Sequence, residues 1–214
     1  MISSIKYQKP PKDKKSIKIK GIIFDYGGVL SPPGSLRPIC EKFAPEYGVD
    51  IEKMHKILVK NWHKARIAKI SDEEFWKNLA YFLGTDKDSF KKDFLKYPQF
   101  DERFFELINN LKNRYRIGLL SNHIRSWLGK DIKEKNLKDI FDVIVTSYDA
   151  KLAKPDIKIF ELIVKKMKLK PEECIYIDDQ EKNMHPSSKM GMYSILYTDF
   201  NQLKKELKNI GIKV

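Results

Sequence analysis

Apolar positions in this chain follow two rhythms, and the switches between them mark out the elements. Ile22-Ile23-Phe24 is a short apolar run broken by Asp25 and then by Gly27 and Gly28. Such a run bounded by a turn signal predicts a buried strand that ends at a carboxylate. After the loop Ser31-Pro32-Pro33-Gly34 the period changes, and from Ser35 to about Lys96 apolar residues recur at spacings of three and four. Ile51, Met54, Ile57, Leu58, Trp62 and Ala65 lie on one helical face, and Ser71 with Glu74 reads as the capped start of another helix carrying Phe75, Leu79 and Phe82. A further amphipathic segment holds Phe90, Phe94 and Leu95 and stops before Pro98.

From Asp101 onward the two rhythms alternate. Helices are expected over 103–113 and 124–135, from Pro155 as a first-turn residue, and near 199–210. Strands are expected at Ile117–Leu120, Phe141–Thr146, Ile175–Ile177 and Tyr193–Tyr197. Alternation of this kind builds an α/β fold, a doubly wound parallel sheet, here with an α-helical block inserted after its first strand. The division read from the sequence is a tail over 1–17, a core from 18–34 and 99–214, and the helical block over 35–98.

Composition narrows the class. Hydrophobic residues make up 42% and charged residues 33%, and no segment approaches the roughly 18 apolar residues a membrane span requires. The lysine-rich N-terminus lacks the apolar core of a secretory signal, so the expected location is the cytoplasm. Cys40 and Cys174 have neither disulfide nor zinc spacing and read as small core residues. Of the formal charge of +13, residues 1–20 supply +6, seven lysines against Asp13. That segment also carries Pro10-Pro11 and reads as disordered. With no stacking motif, recognition helix or repeat, the charge reads as a solvated surface that favours anionic substrates rather than as a nucleic-acid site. Trp62 reads as helix packing, and His55 and His63 have no ligand cluster near them in the sequence.

Polar residues recur at one address. Asp25, Ser121 with Asn122, Lys154, and Asp178 with Asp179 all fall at or just beyond carboxyl ends of strands, the edge at which open α/β sheets place ligands. Gly27 and Gly28 let the backbone approach a bound group closely. Asp25 and one of the paired aspartates can share a divalent cation, and hard oxygen ligands suit magnesium. Lys154 would offset negative charge and hold a phosphate, the Ser121 hydroxyl would donate to it, and the Asn122 backbone N–H could add a further donor. The set suits a nucleophilic carboxylate aimed at phosphorus. Each member also has a plain structural alternative, since Ser-Asn forms turns, Lys-Pro starts helices and Asp-Asp decorates loops.

In that order the motifs resemble those of the haloacid dehalogenase-like hydrolase superfamily: Asp25-Tyr26-Gly27-Gly28-Val29-Leu30, Ser121-Asn122, Lys154-Pro155 and Ile177-Asp178-Asp179-Gln180-Glu181-Lys182-Asn183. The resemblance runs from about residue 18 to 200 and implies a Rossmann-like core, a small helical cap over 35–98 and an aspartyl-phosphate mechanism that needs Mg2+. It makes Asp25 nucleophile and metal ligand, with the Gly27 carbonyl and Asp179 as further ligands and Asp178 acting through bound water. It places Asn183 behind them and Gly28, Ser121, Asn122 and Lys154 around the phosphoryl group, with His123 facing the substrate. The implied partner is a small phosphorylated metabolite, the implied assembly a monomer or homodimer.

Gly27 departs from the pattern. Typical phosphatases of the superfamily carry an aspartate there, which protonates the leaving oxygen and then activates water. Glycine does neither, and general acid–base catalysis is worth about 10²–10⁴-fold. A slow phosphatase, a dehalogenase or phosphonatase-like hydrolase, and a non-catalytic module for a phosphorylated or polyanionic ligand are the readings this leaves.

Overall fold

The structure, a computed structural model, describes residues 18–97 and 99–214. The basic segment expected to be disordered, 1–17, lies outside the described residues. Strands β1 (Gly21–Phe24), β2 (Arg116–Ser121), β3 (Val143–Thr146), β4 (Cys174–Asp178) and β5 (Tyr193–Leu196) form one parallel sheet in the order β3-β2-β1-β4-β5. Ile22 registers with Ile117 and Ile175, and Phe24 with Leu119 and Ile177. These strands are apolar on both faces because helices cover both faces, as parallel sheets require.

Helices α1 (Arg37–Glu46), α2 (Ile51–Ala65), α3 (Asp72–Leu83) and α4 (Lys87–Phe94) make up the inserted block. Beyond it come α5 (Arg103–Lys112), α6 (Arg125–Glu134), α7 (Leu137–Ile140), α8 (Ser147–Ala150), α9 (Ile157–Met167), α10 (Glu181–Lys189) and α11 (Phe200–Asn209). On one face of the sheet Ile22, Phe24, Leu119 and Ile177 pack with Phe104 and Ile108 of α5 and Leu203 of α11. On the other, Ile23, Leu120 and Tyr176 pack with Phe160 and Ile163 of α9 and Met184 of α10. The sheet is therefore doubly wound, as the alternation predicts. Strand order reverses between β1 and β4, so the crevice that such a reversal opens lies at Asp25 and Asp178.

The helical block has a separate core. Phe43, Phe75, Trp76, Phe90 and Phe94 are buried together. Burial contributes roughly 1.5–3 kcal/mol for each such Phe. Ile124 and Trp127 at the start of α6 join that cluster, while Leu128 faces the sheet, so α6 is shared between the two units.

Two expectations need correction. Pro155 does not open α9; the helix starts at Ile157, capped by Asp156, whose Oδ1 accepts the Lys158 N–H at 3.0 Å. A carboxylate able to bind a free N–H outcompetes a ring whose only asset is a fixed φ. The third strand begins at Val143 rather than Phe141, since Phe141 ends the short turn of α7. Both cysteines are buried and unbridged. Among the described residues no helix is long and apolar enough to cross a membrane.

Candidate active site

The ends of β1 and β4 set the geometry. The Asp25 N–H donates to the Ile177 carbonyl at 2.8 Å, extending the strand pairing by one residue, and Asp178 is the last residue of β4. Their carboxylates are thus fixed by backbone and buried, 4% and 0% exposed. Between them lies Lys154, 2% exposed, with Nζ 2.7 Å from Asp25 Oδ1 and 2.6 Å from Asp178 Oδ2. Lys154 reaches this place because the Asn122 side chain clamps its backbone: Nδ2 donates to the Lys154 carbonyl and Oδ1 accepts the Lys154 N–H, both at 2.9 Å. The amide of Asn122 is thereby committed to positioning the lysine, which leaves only its backbone for a ligand.

Both short contacts to Asp25, from the Tyr26 N–H at 2.6 Å and from Lys154, fall on Oδ1. Asp178 is more heavily engaged. Its Oδ2 accepts from Lys154, the Tyr176 hydroxyl and Asn183, and its Oδ1 from the Gln180 N–H and Asn183. Asp179 differs again: its Oδ1 is buried with no hydrogen-bond partner among the described residues. The carboxylate lies in a cradle of bare backbone, since a Cβ on Gly28, at φ +88°, or on Gly34 would collide with Asp179 Oδ2. Gly34 was legible only as a turn residue, although Pro-Pro-Gly marked the sharp bend that delivers it.

Asp25, Asp178 and Asp179 offer oxygens that lie within 4.8 Å of one another. Asp25 and Asp178 share one ammonium with Asp179 close by, and their ionisation shows the deficit. Burial pushes the Asp25 carboxyl well up, opposed by Lys154 and reinforced by Asp178 and Asp179. Burial and the Asp178 charge raise Asp179 to about 6. Burial opposes the charge of Asp178 too, but Lys154 with the Tyr176 and Asn183 hydrogen bonds holds it below the usual carboxylate range. Burial also disfavours the Lys154 ammonium, which Asp178 and Asp25 nonetheless keep above its ordinary value. A divalent cation among hard oxygens meets this deficit, so the donor set fits magnesium.

The rest of the wall comes from β2 and the inserted helices. Ser121 Oγ is buried without a hydrogen-bond partner among the described residues. His123 is 7% exposed, its ring edge-on to Trp127 and Tyr26 with centroids 4.5 and 5.7 Å away. Burial, with Lys154 nearby, lowers its pKa to about 3. Asp25, Gly27, Asn122, His123 and Trp62 line one cavity, so Trp62 is a wall of the site and not mere helix packing. Amphipathic spacing alone could not separate the two, because the apolar face of α2 turns partly into the cleft. A Cβ on Gly27 would meet nothing within 4 Å.

A family model described as haloacid dehalogenase-like hydrolase matches residues 33–197. D-ribitol-5-phosphate phosphatase from Bacteroides thetaiotaomicron is 26% identical over 185 residues, 81% of this chain and 89% of that protein. Bifunctional epoxide hydrolase 2 from Rattus norvegicus is 31% identical over 74 residues, which span 35% of this chain but only 13% of that protein. Among solved structures, a haloacid dehalogenase family enzyme of B. thetaiotaomicron in complex with magnesium and inorganic phosphate superimposes with a TM-score of 0.74. It is 24% identical, and the match covers 86% of this chain and 98% of that one.

Proposed function

The chain belongs to the haloacid dehalogenase-like hydrolase family, and on that premise we propose that it is a magnesium-dependent phosphatase of a small phosphorylated metabolite. The observation that carries this reading is the trio Asp25, Asp178 and Asp179, gathered within reach of one ion, with Lys154 paired to the first two. Support comes from the phosphatase among its relatives and from the magnesium and phosphate held by a protein of the same fold.

In this reading Asp25, Asp179 and the Gly27 carbonyl hold the ion, and Asp178, whose oxygens are already taken, acts on it indirectly. Asn183 fixes Asp178 in turn. Bound there, magnesium neutralises the carboxylates and polarises the phosphoryl group. The residues of the chain do the rest. Asp25 Oδ2, clear of the two hydrogen bonds on Oδ1, attacks phosphorus and the ester oxygen departs, leaving an aspartyl phosphate that water then hydrolyses. Lys154, the Ser121 hydroxyl and the backbone N–H of Asn122 face the phosphoryl oxygens as charge develops, whereas Gly28, expected among them, does not, because its N–H already donates to the Ser31 carbonyl at 2.9 Å. His123 lines the substrate side as a neutral imidazole, and α1 to α4 form the cap.

The test is phosphate release from a panel of phosphate esters by wild type and Asp25→Asn, with magnesium and with chelator. Release that needs magnesium and falls by at least about 10³-fold in Asp25→Asn is expected for a lost nucleophile. Halide release from 2-haloacids without metal, or no turnover on either panel, would overturn the reading.

A further inference from the structure

Beside the catalytic cavity, at Trp62, lies a second cleft of about 420 Å³ between α2 and the loop that follows β4. The two share Gly34, Ser35, Leu36, Trp62 and Gln180, so they adjoin along that wall. The walls of the second cleft are unlike those of the first. His55 and His63 from α2 and Lys182 from α10 line it, and Asp179, at the catalytic end, is its only acidic lining residue among those described. Trp62 carries the Arg66 guanidinium 4.6 Å above its ring. Arg66 stands outside the lining of the cleft, and its Nε is buried with no hydrogen-bond partner among the described residues. His63 lies in the field of both cations: burial, Arg66 and Lys182 all lower its pKa, which makes it a neutral hydrogen-bond donor.

A buried guanidinium nitrogen without an acceptor forgoes a charge-assisted hydrogen bond and loses solvation. The field of this cation nonetheless reaches the cleft, because His63 on its wall feels both Arg66 and Lys182. Planar forked donors stacked on an aromatic face suit a carboxylate or phosphate. We propose that this cleft is a subsite for a second anionic group, so that the substrate is a phosphate monoester whose far end carries a carboxylate or another phosphate. The proposal rests on the phosphatase reading for its turnover test and names the class of molecule that reading leaves open. Lys182 supplies charge at the wall and Arg66 adds its field from beside Trp62, His55 and His63 supply donors, and Trp62 packs against the stem that joins the two ends.

Two probes that differ only at the far end test it: 6-phosphogluconate, which ends in a carboxylate, and glucitol 6-phosphate, which ends in a hydroxymethyl group. Wild type is expected to favour 6-phosphogluconate by about tenfold or more in kcat/KM, and Arg66→Gln or Lys182→Gln to shrink that ratio severalfold, chiefly through KM. Thermal melts of the variants show that they fold. Equal kcat/KM on both probes, or a ratio that the variants leave unmoved, overturns the subsite and assigns the cleft to a neutral polyol chain. Calorimetric titration of both probes into Asp25→Asn reads the same discrimination without turnover. Equal affinities there overturn the subsite whatever becomes of the catalytic reading, whereas discrimination without phosphate release from any ester keeps the subsite and overturns the phosphatase.

Discussion

Gly27 faces the catalytic cavity with room to spare, because its backbone conformation is one that any residue adopts and its missing Cβ would touch nothing within 4 Å. The acid–base group is therefore absent by side chain and not by architecture. Gly27→Asp should fold, since the substitution is unstrained and enters open space, at a modest cost from one more carboxylate beside three already short of positive charge. It should also raise kcat/KM on an alkyl phosphate relative to p-nitrophenyl phosphate by about tenfold or more, since only the alkoxide needs a proton on departure. Melting curves and the rate ratio check both, and an unchanged ratio would show that water already serves. His123 carries a pH signature of its own. Its folded pKa of about 3 lies below the usual value near 6.5, so between these values the unfolded chain binds the additional proton. Stability from this residue is full above about pH 6.5 and is lost as pH falls towards 3, at up to about 1.4 kcal/mol per pH unit. Unfolding midpoints from pH 7 to 4 should fall less steeply for His123→Gln, and parallel curves would refute the assignment.

Elements were legible in the sequence to different depths. The strands that end at Asp25 and Asp178 could be read because a parallel sheet demands unbroken apolar runs, and the carboxylates that stop them stand out. Helices α2 and α3 announced themselves by period and by the cap at Ser71, whose Oγ accepts the Glu74 N–H at 3.0 Å. Contacts made across the chain left no such trace. Asn122 reads in the sequence as a phosphate donor through its backbone N–H, yet its amide clamps Lys154, 32 residues away, an arrangement that only the packing of two loops creates. The same holds for Gly34 against Asp179 and for the Tyr26 hydroxyl bonded to buried Asp131 on α6. Local pattern places a residue at an edge. Which neighbour it finds there depends on crossovers whose lengths the sequence shows but whose paths it does not.

At the scale of the whole molecule, the inserted helical block, the cap of the proposed reading, meets the sheet's helices at the start of α6. That helix opens at Ile124, a residue with no polar side chain to satisfy the first free N–H groups, and helix starts left so cost stability. Asp72, the first residue of α3 in the cap, supplies the missing acceptor. Its Oδ1 accepts the Ser126 N–H at 2.9 Å, and its Oδ2 lies 3.2 Å from Trp76 Nε1, which also donates to Ser126 Oγ at 2.9 Å. The cap thus completes a core helix in trans and places a negative charge at its positive end. Because His123 immediately precedes that helix, the same contact fixes one wall of the catalytic cavity relative to Trp62 on the other. Removing it should loosen both. Asp72→Ala is expected to cost about 1–2 kcal/mol, as loss of a helix cap does, and Asp72→Asn less, since an amide oxygen can still accept. Hydrogen exchange should rise in the first turn of α6 and in α3 together while the strands stay protected. A variant that melts with wild type and exchanges no faster in either helix would show that the apolar contacts of Phe94 with Trp127 hold the cap without help from this charge.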